Sequence, residues 1–291
     1  MAAQPFHDRD GWVWMDGEFV PQRDAKVHVL THAMHYASCV FEGERAYDGA
    51  IFKSREHAER LHKSARILGF KIPHSVDEIC AAKDALIKKM GFSNCYIRAL
   101  AWRGSEQLSV AAKQNTIHTA IATWEWGDYF ADKMKGIRLM VAPWRRPAPD
   151  TAPANSKAAG LYMICTLSKH AAEDSGFNDA LMFDWRGQIA EATGANIFFV
   201  RDNIIHTPTP DCFLDGITRR TVMGLARQRG LEVVERAMFP NELATFQEAF
   251  LTGSAAEVTP IREIAGLQFK PAAVCEQMVH DYAALVRRGN A

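Results

Sequence analysis

Hydrophobic positions alternate briefly at the start of the chain, where VWMDGEFVP sets Asp16-Gly17 between two short apolar stretches and predicts a tight hairpin. The next stretch, HVLTHAMHYASCVFEGERAY (28–47), is rich in His and aromatic residues without a helical period. It reads as strands and loop lining a site. From Ser54 as N-cap, apolar residues recur at Ala58, Leu61, Ala65 and Leu68, the stripe of a helix that Gly69 ends. Ser75 with Glu78 forms a capping box for a second helix, which carries Ile79, Leu86 and Met90 and closes at Gly91. Strand-like runs follow at 96–102 and 117–124.

WGDYFADKMKG then breaks the pattern with glycine and charge, and IRLMVAP beyond it is strand-like. The stretch RRPAPDTAPANSKAAG is too rich in proline and alanine for regular structure. After it, short strands (180–183, 197–200, 233–234, 249–251) alternate with helices (161–173, 217–229, 272–286). These patterns predict an α+β chain with a smaller N-terminal domain at 1–125, a linker at 126–135 and a larger C-terminal domain at 136–291.

Composition narrows the class. The chain has 291 residues, 48% hydrophobic and 23% charged, with 34 basic residues against 34 acidic ones. That balance gives no electrostatic case for nucleic acid or an anionic membrane as main partner, although Arg145-Arg146 and Arg219-Arg220 are candidate small-anion sites. No run approaches the ~18 apolar residues of a membrane span, and the first residues carry no apolar core of a secretory signal. The six cysteines form no C-x-x-C pair, so neither a metal site nor a disulfide framework is expected, and reduced thiols suit a cytoplasmic protein.

Lys157 has the most distinctive setting among the lysines. Ala152, Ala154, Ser156, Ala158, Ala159 and Gly160 surround it, so another group can approach its amine closely. A desolvated lysine is a better nucleophile because only the neutral amine attacks a carbonyl. Glu191 precedes an apolar strand and could serve a ring nitrogen that needs an anion beside it. Gly216-Ile217-Thr218-Arg219 enters a helix and Leu251-Thr252-Gly253-Ser254-Ala255 follows a strand, so each could offer free N–H groups to a phosphate. A plain structural reading of each remains open: a solvated carboxylate, an ordinary helix start, a surface-snorkelling Arg60, core aromatics at Tyr36, Phe41 and Trp126.

The chain resembles the fold-type IV, pyridoxal-phosphate-dependent aminotransferases, and within them the branched-chain amino acid aminotransferases. The stretches that carry the resemblance are HAMHYASCVFEGERAY, REHAERLHKSARIL, CYIRAL, WEWGDYF, the Lys157 segment, EATGANIFFV, DGITR and LTGSAAEVTPIREI, in order along most of the chain. The resemblance implies that Lys157 carries pyridoxal 5'-phosphate as a Schiff base and shuttles a proton. It implies that Tyr162 meets the cofactor's phenolic oxygen and Glu191 its ring nitrogen. Arg60, the amides of Ile217 and Thr218, and Gly253-Ser254 would bind the phosphate. Tyr96 and the Ser254-Ala255 amides would hold the substrate α-carboxylate, and Arg98 the distal carboxylate of glutamate or 2-oxoglutarate. Tyr36, Phe41, Trp126 and Tyr129 would wall the apolar pocket, with Tyr36 and the loop at Leu108 and Val110 reaching the neighbouring subunit of a homodimer. The implied reaction moves the amino group of L-Leu, L-Ile or L-Val to 2-oxoglutarate.

Relatives of the same fold, D-amino-acid and (R)-amine transaminases and aminodeoxychorismate lyase, are the nearest alternatives. A non-catalytic phosphate-binding relative is the alternative from another class. Ala37 stands where the family usually has glycine, and Arg103 and Ser109 also depart from its pattern beside the pocket, which bears on substrate range.

Overall fold

The computed structural model describes residues 4–127 and 133–288, which fall into two units. The first runs to Gly127 and takes in Ser156–Gly160; the second holds 133–155 and Leu161–Arg288. Sequence puts Lys157 in the second domain, but its segment groups with the first unit. Main-chain bonding is the reason: Val40 bridges Ala158, the Phe41 N–H donates to the Lys157 carbonyl at 3.1 Å, and the Lys157 N–H donates to Ser64 Oγ at 3.0 Å. Half of the expected 126–135 linker, residues 128–132, lies outside the described residues, as does the pocket candidate Tyr129.

In the first unit, strands β1 (Trp12–Met15) and β2 (Glu18–Pro21) close as the expected hairpin, with Asp16 at φ 51° and Gly17 at φ 103°. Then come α1 (His32–Tyr36), β3 (Cys39–Phe41), β4 (Glu44–Tyr47), β5 (Ala50–Ile51), α2 (Ser54–Ile67), α3 (Val76–Met90), β6 (Cys95–Arg103) and β7 (Ile117–Glu125). The sheet order is β2-β1-β7-β6-β4-β5, with β3 also on β6. The helix α1 is a correction to the strand-and-loop reading: its 5 residues are too few to show a stripe, and Ala37 at φ 52° ends it. Ser54 is the first helical residue of α2 rather than its cap, which is Lys53 at φ 53°. The capping box of α3 forms as expected, with Glu78 N–H donating to Ser75 Oγ at 3.2 Å and Ser75 N–H to Glu78 Oε2 at 2.6 Å. Leu61, Ala65, Ile79 and Leu86 bury against Ile97, Ala99 and Ile121 on one face of the sheet. Strand alternation therefore sends Tyr96, Arg98, Leu100 and Trp102 to the other face.

The second unit contains β8 (Ile137–Val141), α4 (Met163–Asp174), β9 (Asp179–Phe183), β10 (Ile189–Ala192), β11 (Asn196–Arg201), β12 (Ile204–Pro208), α5 (Ile217–Gln228), β13 (Val233–Arg236), β14 (Glu248–Gly253), β15 (Glu257–Ile264), β16 (Leu267–Gln268) and α6 (Ala273–Arg287). Strand order is β10-β9-β8-β15-β14-β11-β12-β13, and pairing of β10 with β11 closes the first six into a ring. Leu139, Leu181, Ile189, Ile197, Phe199, Leu251 and Ile261 belong to its core. Strands β12 and β15 escaped the sequence reading because His206 with Pro208, and Pro260 with Arg262-Glu263, break the apolar run.

Candidate active site

In the first unit the site is built on β3, β4, β6, α2 and the Lys157 segment. Lys157 Nζ lies 4.9 Å from the centre of the Phe41 ring. Burial, then the positive charge of Arg60, pushes the amine down to about 8, so near neutral pH a useful fraction is uncharged. Ser156 Oγ donates to the Ser64 carbonyl at 3.0 Å, and together with the Lys157–Ser64 bond this ties the segment to α2.

Behind Lys157 lies a buried charge network that sequence reading did not anticipate. Glu42, 0% exposed, accepts from Arg60 Nε at 2.7 Å, Arg60 Nη2 at 2.8 Å and His57 Nδ1 at 2.7 Å. Burial alone would raise its pKa, but the Arg60 charge and these hydrogen bonds hold the carboxyl well below the usual range. Two residues on, at the start of β4, the buried Glu44 accepts from Lys83 Nζ at 2.7 Å. Arg60 thus does not snorkel into solvent: its fork is fixed by Glu42.

Tyr96 and Arg98 share the open face of β6, as their i, i+2 spacing requires, with Arg98 Nη2 3.4 Å from the Tyr96 hydroxyl. A side chain at Gly43 would meet that hydroxyl at 1.9 Å, so only glycine lets the phenol lie against this backbone. Arg98 lies over the Phe41 ring at 4.7 Å, and Tyr96 packs tilted against Trp126, ring centres 5.1 Å apart. Arg98 Nε is buried and has no hydrogen-bond partner among the described residues. The nearby acid Glu44 pairs with Lys83 and not with Arg98. Tyr36, Leu108 and Val110 are exposed (45%, 43% and 85%), so in the isolated chain they wall nothing.

In the second unit Glu191, on β10, is held at both oxygens. Arg146 Nε lies 3.5 Å from Oε1, and Asn196 Nδ2 donates to Oε2 at 3.2 Å. Arg146, 4% exposed, also donates to the carbonyls of Cys212 at 3.4 Å and Leu161 at 3.5 Å. Asn196 in turn accepts from the Gly216 N–H at 3.2 Å and so joins Glu191 to the start of α5. A Cβ at Gly216 would meet Asn196 Oδ1 at 2.2 Å. No side chain caps α5, and the first amides, Ile217 and Thr218, have no acceptor within the helix. Across the β11–β14 ladder from Asn196 sits Thr252, whose Oγ1 is buried without a hydrogen-bond partner among the described residues. Gly253 ends β14, and Ser254 and Ala255 lie in the turn to β15. Tyr162 immediately precedes α4 as its N-cap residue.

Arg146 and Asn196 are residues the sequence reading missed as site components; Asn196 is visible only as a polar interruption before IFFV. The arginine pairs are corrections. Arg146 is spent on Glu191, and Arg219, 1% exposed, pairs with Asp215 at 2.9 Å and with Glu235, so these two members of the pairs are engaged within the fold. Among the described residues no helix is long and apolar enough to cross a membrane. The six cysteines are free, as expected.

Each unit offers groups that suit pyridoxal phosphate: the first a desolvated amine, the second a held carboxylate, uncapped helix amides and a buried hydroxyl without a hydrogen-bond partner among the described residues. The comparisons agree. Residues 39–264 match the family profile for amino-transferase class IV. The chain is 42% identical over 281 residues to a probable branched-chain-amino-acid aminotransferase of Rickettsia bellii, covering 95% of this chain and 96% of that one. Among solved structures, the branched-chain aminotransferase of the thermophilic archaeon Thermoproteus uzoniensis with norvaline matches with TM-score 0.93 at 34% identity, covering 97% of this chain and 96% of that one. The branched-chain amino acid aminotransferase of Thermobaculum terrenum, in its PLP form, matches with TM-score 0.89 at 30% identity, covering 96% and 94%. The chain belongs to the class IV aminotransferases of fold type IV, among the branched-chain-amino-acid aminotransferases.

Proposed function

We propose that the chain transfers the amino group of L-leucine, L-isoleucine or L-valine to 2-oxoglutarate, giving branched-chain 2-oxo acids and L-glutamate. The observation that carries the chemistry is the depressed pKa of Lys157, about 8, on a segment of small residues. Pyridoxal phosphate, when bound, supplies an electron sink for the pair released at the substrate Cα. Lys157 would hold it through the neutral amine and would move the proton at the substrate Cα. Glu191 would serve the ring nitrogen as an anion, and Tyr162 would meet the phenolic oxygen. Arg60, the Ile217 and Thr218 amides, Gly253 and Ser254 hold the phosphate.

On the substrate side, Tyr96 with the Ser254-Ala255 amides takes the α-carboxylate, and Phe41 and Trp126 offer apolar wall. Arg98, with a buried donor to spare, takes the distal carboxylate of 2-oxoglutarate. Tyr36, Leu108 and Val110 complete the pocket of a second copy, and their exposure supports a homodimer. A panel of amino donors with 2-oxoglutarate (L-Leu, L-Ile, L-Val, D-Ala and an (R)-amine) tests this reading. Turnover with the three branched L-amino acids is expected; turnover confined to D-Ala or the amine would overturn it.

A further inference from the structure

Leu108 and Val110 project from a segment without helix or strand that joins β6 to β7. Exposed side chains on such a loop gain little position from packing, so other bonds must place them. Between them, the Ser109 carbonyl lies 2.9 Å from His32 Nε2. A carbonyl only accepts, so Nε2 carries the ring proton, and Nδ1, 2.7 Å from Ser38 Oγ, accepts from that hydroxyl. The His32 ring is 4% exposed and stacks on Tyr36 at 4.6 Å. Its own N–H donates to the Gly104 carbonyl at 2.8 Å, where the loop begins. Arg103, one of the departures from the family pattern, adds bonds from the loop's Ala112 carbonyl at 3.1 Å to the Gly69 carbonyl at 2.9 Å. Asn115 closes the loop on itself through the Gly104 and Gln107 carbonyls, at 2.9 and 3.0 Å.

We infer that His32 is a positioning residue that locks Tyr36 and the Leu108–Val110 loop into one arrangement and so sets the shape of the wall they offer to the substrate's apolar side chain. The inference rests on the reading that these three residues contact substrate. His32→Phe keeps a ring against Tyr36 but leaves the Ser109 carbonyl and the Ser38 hydroxyl without their partner. The KM for L-leucine should rise about tenfold, a misplaced pocket wall being worth that much. The maximal rate of the leucine half-reaction and the absorbance of bound cofactor should stay within about twofold, because neither depends on the wall. His32→Gln, which keeps an N–H donor near the Ser109 carbonyl, should recover most of the loss.

Ser38→Ala removes only the hydroxyl that orients the ring, and serves where His32→Phe does not fold; it should raise the KM in the same direction. Leu108→Ala and Val110→Ala separate the two claims. A raised leucine KM in those variants, with an unchanged KM in both Ser38→Ala and any folded His32 variant, overturns the role of His32 and leaves the pocket reading standing. An unchanged KM in the Leu108 and Val110 variants overturns the pocket reading, and the inference with it.

Discussion

Arg60 presents two nitrogens to Glu42, Nε at 2.7 Å and Nη2 at 2.8 Å, and the carboxylate that receives them is wholly buried. A buried pair of this kind is costly to break, because one charge is left without its partner. Glu42→Gln should therefore destabilise the protein by about 3 kcal/mol at neutral pH, measured as a denaturant midpoint. The sign of the pH dependence follows from the depressed Glu42 pKa. Its contribution is fully present above the unfolded carboxyl pKa and is lost as pH falls through the folded value. The gap between native and variant should hold above about pH 5 and narrow below it; a gap that widens in acid contradicts the assignment.

Arg98 lies beside Tyr96 on one face of β6, so one can hold each end of a dicarboxylate. Arg98→Met should slow the 2-oxoglutarate half-reaction by roughly tenfold to a hundredfold, the worth of one charge-assisted bond at ~1.4 kcal/mol per decade. The leucine half-reaction should change much less. Stopped-flow absorbance follows the two separately, and equal losses would assign Arg98 to the fold instead.

Glu191 is held on both oxygens, with Arg146 at 3.5 Å and Asn196 at 3.2 Å. Glu191→Gln should keep the cofactor bound but lower the single-turnover rate of Cα deprotonation more than the substrate affinity, because the ring nitrogen loses its anion. Arg146→Met should disturb the same rate through Glu191. Unchanged rates in both variants would mean that another group serves the ring nitrogen.

Ala37 holds φ 52°, a left-handed conformation that costs a residue with a Cβ about 1 kcal/mol. Ala37→Gly should raise thermal stability by roughly 0.5–1 kcal/mol, less the extra entropy of glycine in the unfolded chain. A lowered melting temperature would show that the Ala37 methyl packs usefully, for instance toward Gly160, where an added Cβ would stand 3.0 Å from it.

Local signals carried far in this sequence. The Asp16-Gly17 hairpin, the Ser75–Glu78 capping box and the strand-like runs at 96–102 and 117–124 are each written in neighbouring residues and form, the runs as β6 and β7. The spacing of Tyr96 and Arg98 likewise foretold their shared face. What escaped is what distance in sequence hides. The five-residue α1 has no period to detect, β12 and β15 carry prolines and charges inside the sheet, and the Lys157 segment joins the first unit by main-chain bonds to Phe41 and Ser64. Arg60 with Glu42, and Arg146 with Glu191, are pairs 18 and 45 residues apart, and nothing in either neighbourhood names the partner. Where charge is buried, the partner decides the role, and only the fold supplies it.

The central claim is that the Lys157 amine, lowered to about 8 by burial and by Arg60, is the group that joins the cofactor. The most direct measurement is borohydride reduction of the enzyme loaded with pyridoxal phosphate, followed by mass mapping of its peptides. The account predicts a phosphopyridoxyl adduct on Lys157 alone. In Lys157→Ala it predicts no such adduct, no visible cofactor absorbance and turnover lower by many orders of magnitude. A stable adduct on another lysine, with near-normal transamination by Lys157→Ala, would contradict it.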